Sequence, residues 1–469
     1  MIKVFDMVTP IVRNWYVQWF VVGLLMALPF VWPGLWWSAI MGIAGYLYVL
    51  TTHHAPTHRQ LVLGGILVGA VQYLGVLSWV WSTYPLEWLA ITPFEAAVLL
   101  AVYTLVAVIV LGASKVLVLY AYRYMPGIFI YLFPLWWLVS EVLAAGLFSL
   151  HALGAGGGFS LHFSYGMVGY VLAEHGLLLE TAAVVGVYGL SIVAVWLGVM
   201  LYSIVRYVER YRYVAVVLFV GLLLVSAQYN TIERDYDDSV RVSALETSFD
   251  RRVMTIQELV LRQRSLVQGV VAALQQGNQY VVLPEDVRFG ALFSDEDEVF
   301  AFIRQYATAE EVVLVDSSRV DYDDVAYVRA YMYDTQTNQV YSVDKQQLVP
   351  QGEYMPYLHG AILRLFGYGE AVDSFAAAYN YVPGPLVSQS ELPDHLPLVL
   401  FCYESSSPYA LQQLVSARSA PFVAHPVSHS AFNHPLILSQ QLEQMLQVNA
   451  RFAGVVVYQS GNMAPAKRF

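Results

Sequence analysis

The chain holds one cysteine, Cys402, among 469 residues. One thiol excludes an internal disulfide framework and any cysteine-based metal cluster. Charge is scarce as well, at 13% of residues against 58% hydrophobic ones, with a mean hydropathy of +0.53. An ordinary soluble protein of this length is far more polar. No cleavable leader pattern is present, because the first apolar run continues into further spans and reads as an anchor.

The scarcity of charge is uneven. Residues 1–228 carry eight Lys/Arg and seven Asp/Glu, which leaves 16 and 28 of the totals of 24 and 35 for residues 229–469. A transmembrane helical domain near +1 is therefore expected over 1–228, and an acidic globular domain near −12 over 229–469. An acidic domain argues against nucleic acid as a partner.

A span needs about 20 apolar residues. Seven stretches qualify, at about 16–34, 36–52, 61–83, 94–114, 127–148, 180–204 and 213–228. The basic residues of this half fall in the N-terminal tail, in the loop after the second span, just after the fourth, and after the sixth. The loops after the first, third and fifth spans carry none and contain Glu87 and Glu174. The positive-inside rule then puts the N-terminus in the cytoplasm and everything after about residue 229 outside it. Glu141 lies inside the fifth span, where a carboxylate is either functional or a helix–helix hydrogen-bond partner. The loop 149–178 contains Gly154 and Gly156-Gly157-Gly158 but no GK[ST] and no preceding strand, so nucleotide binding is rejected; a mobile flap and a simple linker both fit it.

From about residue 239 short β-rich runs alternate with helical stretches, the pattern of an α/β layered domain. Strands are expected at VRVSALE, YVVLPED, EVVLVDS, LPLVLFCYES, PFVAHP and GVVVYQS, with a hairpin over 325–343. Helices are expected at Arg252–Gln276, Glu298–Thr308, Pro408–Arg418 and Pro435–Ala450. Leu398–Glu404, LVLFCYE, reads as a short buried strand ending on Cys402. A free cysteine there is either a small core residue or a nucleophile at a strand-to-helix turn.

Two further polar residues stand at element ends. Glu285 closes a strand, where active-site groups of open α/β sheets collect. Lys345 follows the hairpin, ahead of the stiff loop LVPQGEYMP. A carboxylate beside a thiol can take its proton. An ammonium nearby lowers the thiol pKa and stabilises an oxyanion. A thiolate so activated splits one acyl transfer into two steps through a thioester.

LPED around Glu285, DKQQLVPQGEYMP around Lys345 and FCYES around Cys402 resemble the nitrilase superfamily in order and context. WVW at Trp79–Trp81, WLVSE ending at Glu141 and GVYGLS at Gly186–Ser191 narrow the resemblance to the apolipoprotein N-acyltransferases, over about residues 60–462. The resemblance implies a nitrilase-like αββα sandwich on the outer face of a bacterial inner membrane, with no cofactor and a monomer as the expected state. It implies Glu285 as general base, Lys345 as transition-state stabiliser, Cys402 as nucleophile, Glu353 as the carboxylate supporting the lysine, and Tyr403 and Glu404 as residues beside the nucleophile. The implied reaction moves a fatty acyl chain from a membrane phospholipid, through a cysteine thioester, to the N-terminal amine of a diacylglyceryl-cysteine lipoprotein.

The sequence departs from that pattern in places. It ends at Phe469 in a polar NMAPAKRF tail, where the family continues into a closing transmembrane helix. The segment after the nucleophile reads His425-Pro426-Val427-Ser428-His429-Ser430-Ala431-Phe432, Ala144 replaces an arginine, and Glu246-Thr247-Ser248 replaces a QGN. A nitrilase-fold amidase or acyltransferase with another acceptor, and an inactive scaffold, remain alternatives. His425, His429 and His434 lack a metal-site pattern, so no metal is expected. The two DYDD runs, at Asp235–Asp238 and Asp321–Asp324, lack the EF-hand spacing and read as solvated turns.

Overall fold

The helices of the first half are defined by their caps. Asn14 caps α1 (Trp15–Val31) through Tyr16 and Val17, Thr57 and Gln60 form a capping box on α3 (His58–Val76), and Thr92, Pro93 and Glu95 start α4 (Pro93–Gly112). The others are α2 (Trp36–Thr52), α5 (Ser114–Tyr124), α6 (Phe129–His151) and α7 (Gly176–Tyr207). The computed structural model describes residues 14–52, 56–86, 91–207, 240–249, 254–322, 325–384, 389–433 and 435–469.

Among the described residues five segments are long and apolar enough to cross a membrane: Pro33–Thr52, His58–Val76, Pro93–Tyr124, Phe129–His151 and Gly176–Arg206. This is a membrane protein. The expected first span is a 17-residue apolar helix, about 26 Å long at 1.5 Å per residue. The expected seventh, the 235–238 DYDD run, Glu87 and His434 lie outside the described residues. The third expected span ends earlier than its apolar run, because the chain tightens into a 3₁₀ helix at Ser78–Thr83. Within α7, Gly186 takes φ 60°, ψ −169°, a break that lets the Phe452 ring lie against the backbone.

Among its described residues the second half contains two sheets. In the first, β1 (Val242–Ala244), β3 (Tyr280–Val282) and β4 (Val313–Tyr322) run parallel, and β5 (Val325–Asp334) and β6 (Gln339–Asp344) continue antiparallel. In the second, β7 (Leu398–Val399), β8 (Val423–Ser428) and β9 (Val457–Asn462) are parallel; β2 (Glu246–Thr247) also pairs with β9. The polar end of the chain is not a loose tail: Lys467–Arg468 form β10, antiparallel to β9. Val282, Val315, Met332 and Val343 of the first sheet meet Val399, Phe401, Phe422 and Ala424 of the second. Outside the first sheet lie α8 (Ile256–Gln275) and α9 (Glu296–Tyr306). Outside the second lie α12 (Ala410–Ala417) and α13 (Leu436–Ala453). Two short helices that the sequence reading passed over, α10 (Tyr357–Leu365) and α11 (Gly369–Ala378), follow the proline-rich loop.

α13 joins the halves. Its Leu446 and Ala450 pack on the second sheet, while Leu438, Leu442, Met445 and Val448 enter the core of the helical half. Spacings of three and four residues put those side chains on neighbouring faces of one helix. Gln441 Nε2 donates to Phe30 O (2.9 Å) and Val76 O (3.1 Å), and Arg451 pairs with Glu180 at 3.2 Å.

Candidate active site

Cys402 does not end the strand as expected. β7 stops at Val399, and Leu400 N still donates to Ala424 O (2.9 Å), but Cys402 opens a 3₁₀ turn, Cys402–Ser406. The cause is Glu404. Its Oε2 accepts from Phe401 N (2.9 Å), which bends the chain before Cys402 can pair with β8. Its Oε1 accepts from Gln346 N (2.7 Å) and Gln347 N (3.1 Å), so one buried carboxylate ties the thiol's turn to the residues after Lys345. Burial raises the Glu404 pKa, and those amides oppose the rise.

Lys345 leaves β6 with its amide bonded to Val328 O (2.8 Å) and its side chain 1% exposed. The ammonium donates to Glu285 Oε1 (3.0 Å) and Glu353 Oε1 (2.7 Å), and Glu353 Oε2 accepts from Val349 N (2.7 Å). Burial works against the charged lysine, but two carboxylates outweigh it and hold its pKa above the ordinary value. Glu285 is pushed up to about 7 by burial, opposed by Lys345 and reinforced by Glu353. Behind Glu285 the chain turns through left-handed Asp286 and Arg288 (φ 58° and 57°), and Ser317 Oγ accepts from Asp286 N at 3.0 Å.

Burial, and then the Glu285 charge, push the Cys402 thiol up to about 12, while Lys345 and the backbone N–H of Ser428 pull it down. Cys402 is therefore a thiol at rest. It becomes a thiolate only when its proton has somewhere to go.

Glu285, Lys345, Glu353, Cys402 and Tyr403 line one cavity of about 450 Å³. The helical half supplies its apolar wall, with Trp79, Leu99, Val102 and Val106 among the residues, and Trp79 meets Tyr165 and Phe432 at ring-centroid distances of 5.7 and 5.9 Å. All the predicted site residues but Glu404 line this chamber; Glu404 braces it from behind. Glu141 does not reach it. Its Oε1 accepts from Trp137 Nε1 (3.0 Å) and Val168 N (2.8 Å), so within the membrane half it is a hydrogen-bond partner.

Among the described residues His425 and His429 belong to no group of three or more potential metal ligands. His425 Nδ1 meets Leu400 O (2.6 Å) and His429 Nδ1 meets Ser439 Oγ (2.9 Å), and burial lowers both pKa values to about 4. Asp321 lies in β4 and pairs with Arg319 at 2.7 Å, while Asp323 and Asp324 lie outside the described residues. The sequence reading also missed the Ser428 amide, since only the approach of β8 to the turn reveals it.

The helical half carries the similarity to known proteins. Residues 22–200 match the model of the apolipoprotein N-acyltransferase N-terminal domain. Over that stretch the chain is similar to the apolipoprotein N-acyltransferases. No curated protein matches it at a significant level. The matched N-acyltransferase domain includes Trp79, Leu99, Val102 and Val106, the wall that the membrane half contributes to the chamber.

Proposed function

We propose that the protein transfers a fatty acyl chain from a membrane phospholipid to the N-terminal amine of a diacylglyceryl-cysteine lipoprotein, with Cys402 as nucleophile. The observation that carries this reading is the shared chamber: a Glu285–Lys345–Glu353 chain beside a thiol, opening onto apolar side chains of the membrane helices. The match of residues 22–200 to the N-terminal domain of the apolipoprotein N-acyltransferases supports the same reading.

In the first step Glu285 takes the Cys402 proton as sulfur attacks the ester carbonyl of the phospholipid. Lys345, held by Glu353, stabilises the oxyanion. Collapse forms the thioester, and Glu285 returns the proton to the departing lysophospholipid oxygen. In the second step the lipoprotein amine attacks the thioester. Glu285 accepts a proton from the amine and returns it to the sulfur as the amide forms. Tyr403 and Glu404 support the turn that carries the thiol.

The reading extends to architecture. Seven spans over 1–228 would leave the N-terminus cytoplasmic and the 229–469 domain on the outer face of a bacterial inner membrane. Packing of two sheets between outer helices supports a nitrilase-like sandwich for that domain. Incubation with alkyne-tagged phospholipid tests the chemistry: a hydroxylamine-labile adduct on Cys402, lost in Cys402→Ala, is expected. A tag that never reaches Cys402 overturns the mechanism, and a thioester that no lipoprotein N-terminus discharges overturns the acceptor.

A further inference from the structure

The loop between α6 and α7 grips both sides of the site. On the lysine side, Ala152 O accepts from the Tyr354 hydroxyl (2.8 Å) and Leu153 O accepts from Tyr357 N (2.8 Å). Gly154 and Gly157 bond to each other (3.0 and 3.2 Å), and Gly154 also bridges to Pro356. The Tyr354 ring lies against bare backbone: a Cβ on Gly154 would stand 2.8 Å from its ring carbons, and one on Gly156 only 2.6 Å from Cγ. Gly158, last in the run, faces open space. Tyr354 follows Glu353 directly, and its own carbonyl accepts from Gln351 N (2.8 Å). A displaced Tyr354 would carry with it the carboxylate that holds Lys345.

On the thiol side, the Ser407 hydroxyl accepts from Tyr409 N and Ala410 N and is hydrogen-bonded with His162 Nδ1 (2.7 Å). Ser164 Oγ donates to Ser406 O, two residues into the same loop. The Gln347 amide, two residues beyond Lys345, also reaches His162 Nδ1 at 3.1 Å. The loop is anchored in the helical half, where Val168 N bonds Glu141 and Gly169 N bonds Ser191 Oγ (3.0 Å).

We infer that loop 152–169 is a positioning element of the reaction, with a glycine socket that sets Glu353 and Lys345 through Tyr354 and a His162–Ser164 segment that sets the Cys402 turn. The inference rests on the reading of Cys402 as the nucleophile served by Lys345. Tyr354, Gly154, Gly156, His162 and Ser164 are positioning residues; none is assigned contact with substrate. The membrane half thereby fixes the spacing between cation and sulfur.

The test uses the full chain and its single cysteine. The rate of Cys402 alkylation by iodoacetamide is followed against pH, alongside thermal stability. Gly156→Ala, which forces the tyrosine outward, is expected to move the alkylation midpoint upward and slow alkylation at fixed pH by about tenfold, the effect of about one pKa unit of lost cation–thiolate attraction. Gly158→Ala is expected to match wild type. In a Tyr354→Leu background the added Gly156→Ala change should cost less than about twofold, since contacting pairs are non-additive. A Gly156→Ala protein with an unshifted midpoint, whatever its stability, overturns the inference, and so does an equal shift from Gly158→Ala. Failure of the acyltransferase reading looks different: wild type would form no phospholipid thioester while the alkylation profile still responded to Gly156→Ala.

Discussion

Each half of the molecule buries a lysine near a glutamate, and the two pairs behave differently. In the helical half Lys115 Nζ donates to Ser140 Oγ (3.1 Å) and sits 3.7 Å from the centroid of the Trp137 ring, while Glu141 is bonded by Trp137 and Val168. Neither residue lines the chamber. In the α/β half Lys345 serves two carboxylates, and the second, Glu285, shares a cavity with a thiol. Burial of a lysine and a glutamate in one neighbourhood therefore does not by itself mark a reactive site. A surplus carboxylate, an adjacent nucleophile and access for a ligand do.

That contrast can be broken by substitution, most severely at the thiol. Cys402→Ala should abolish adduct formation from tagged phospholipid while the protein still inserts and folds. Lys345→Met should slow single-turnover thioester formation by about 10²–10³-fold, the usual cost of removing one oxyanion donor; the matching change Lys115→Met should leave that rate within a few fold. Glu285→Gln should cost about 10²-fold or more as loss of a general base.

The pH profile sharpens the assignment. Glu285 is held at about 7, so below that pH its carboxyl is protonated and cannot take the Cys402 proton. Thioester formation should therefore rise with pH through about 7 and level off above it, and Glu285→Gln should flatten the rise. A wild-type rate that falls through this range contradicts the base assignment. Smaller again is Glu404→Gln, which puts an NH₂ where a backbone N–H now donates. It should destabilise the turn by about 1–3 kcal/mol, the cost of a buried unsatisfied group, measurable as earlier thermal unfolding. Glu141→Gln comes last, since its single accepting oxygen is retained; activity within a few fold of wild type is the expected result.

The glutamate, the lysine and the thiol were legible because each follows a strand whose apolar or β-rich run is clear in sequence. Glu353 was legible only through the resemblance of its loop. The bend at Cys402 was not, because it depends on a carboxylate two residues on whose other partners come from the Lys345 loop. The Gly154–Gly157 stretch was open between flap and linker; its meaning depends on Tyr354, about 200 positions away, as a partner. The helices α10 and α11 escaped notice because they are short, at nine and ten residues, and their apolar faces only make sense against the neighbours they cover.

The shared helix α13 has a consequence for how the molecule can be handled. Its two apolar faces belong to two different cores, one built by each half. Cutting the α/β half away would leave Leu438, Leu442, Met445 and Val448 facing water as a sticky ridge. Loss of either half should therefore drag down the other, so that heat, detergent or protease acts on the molecule as one cooperative body.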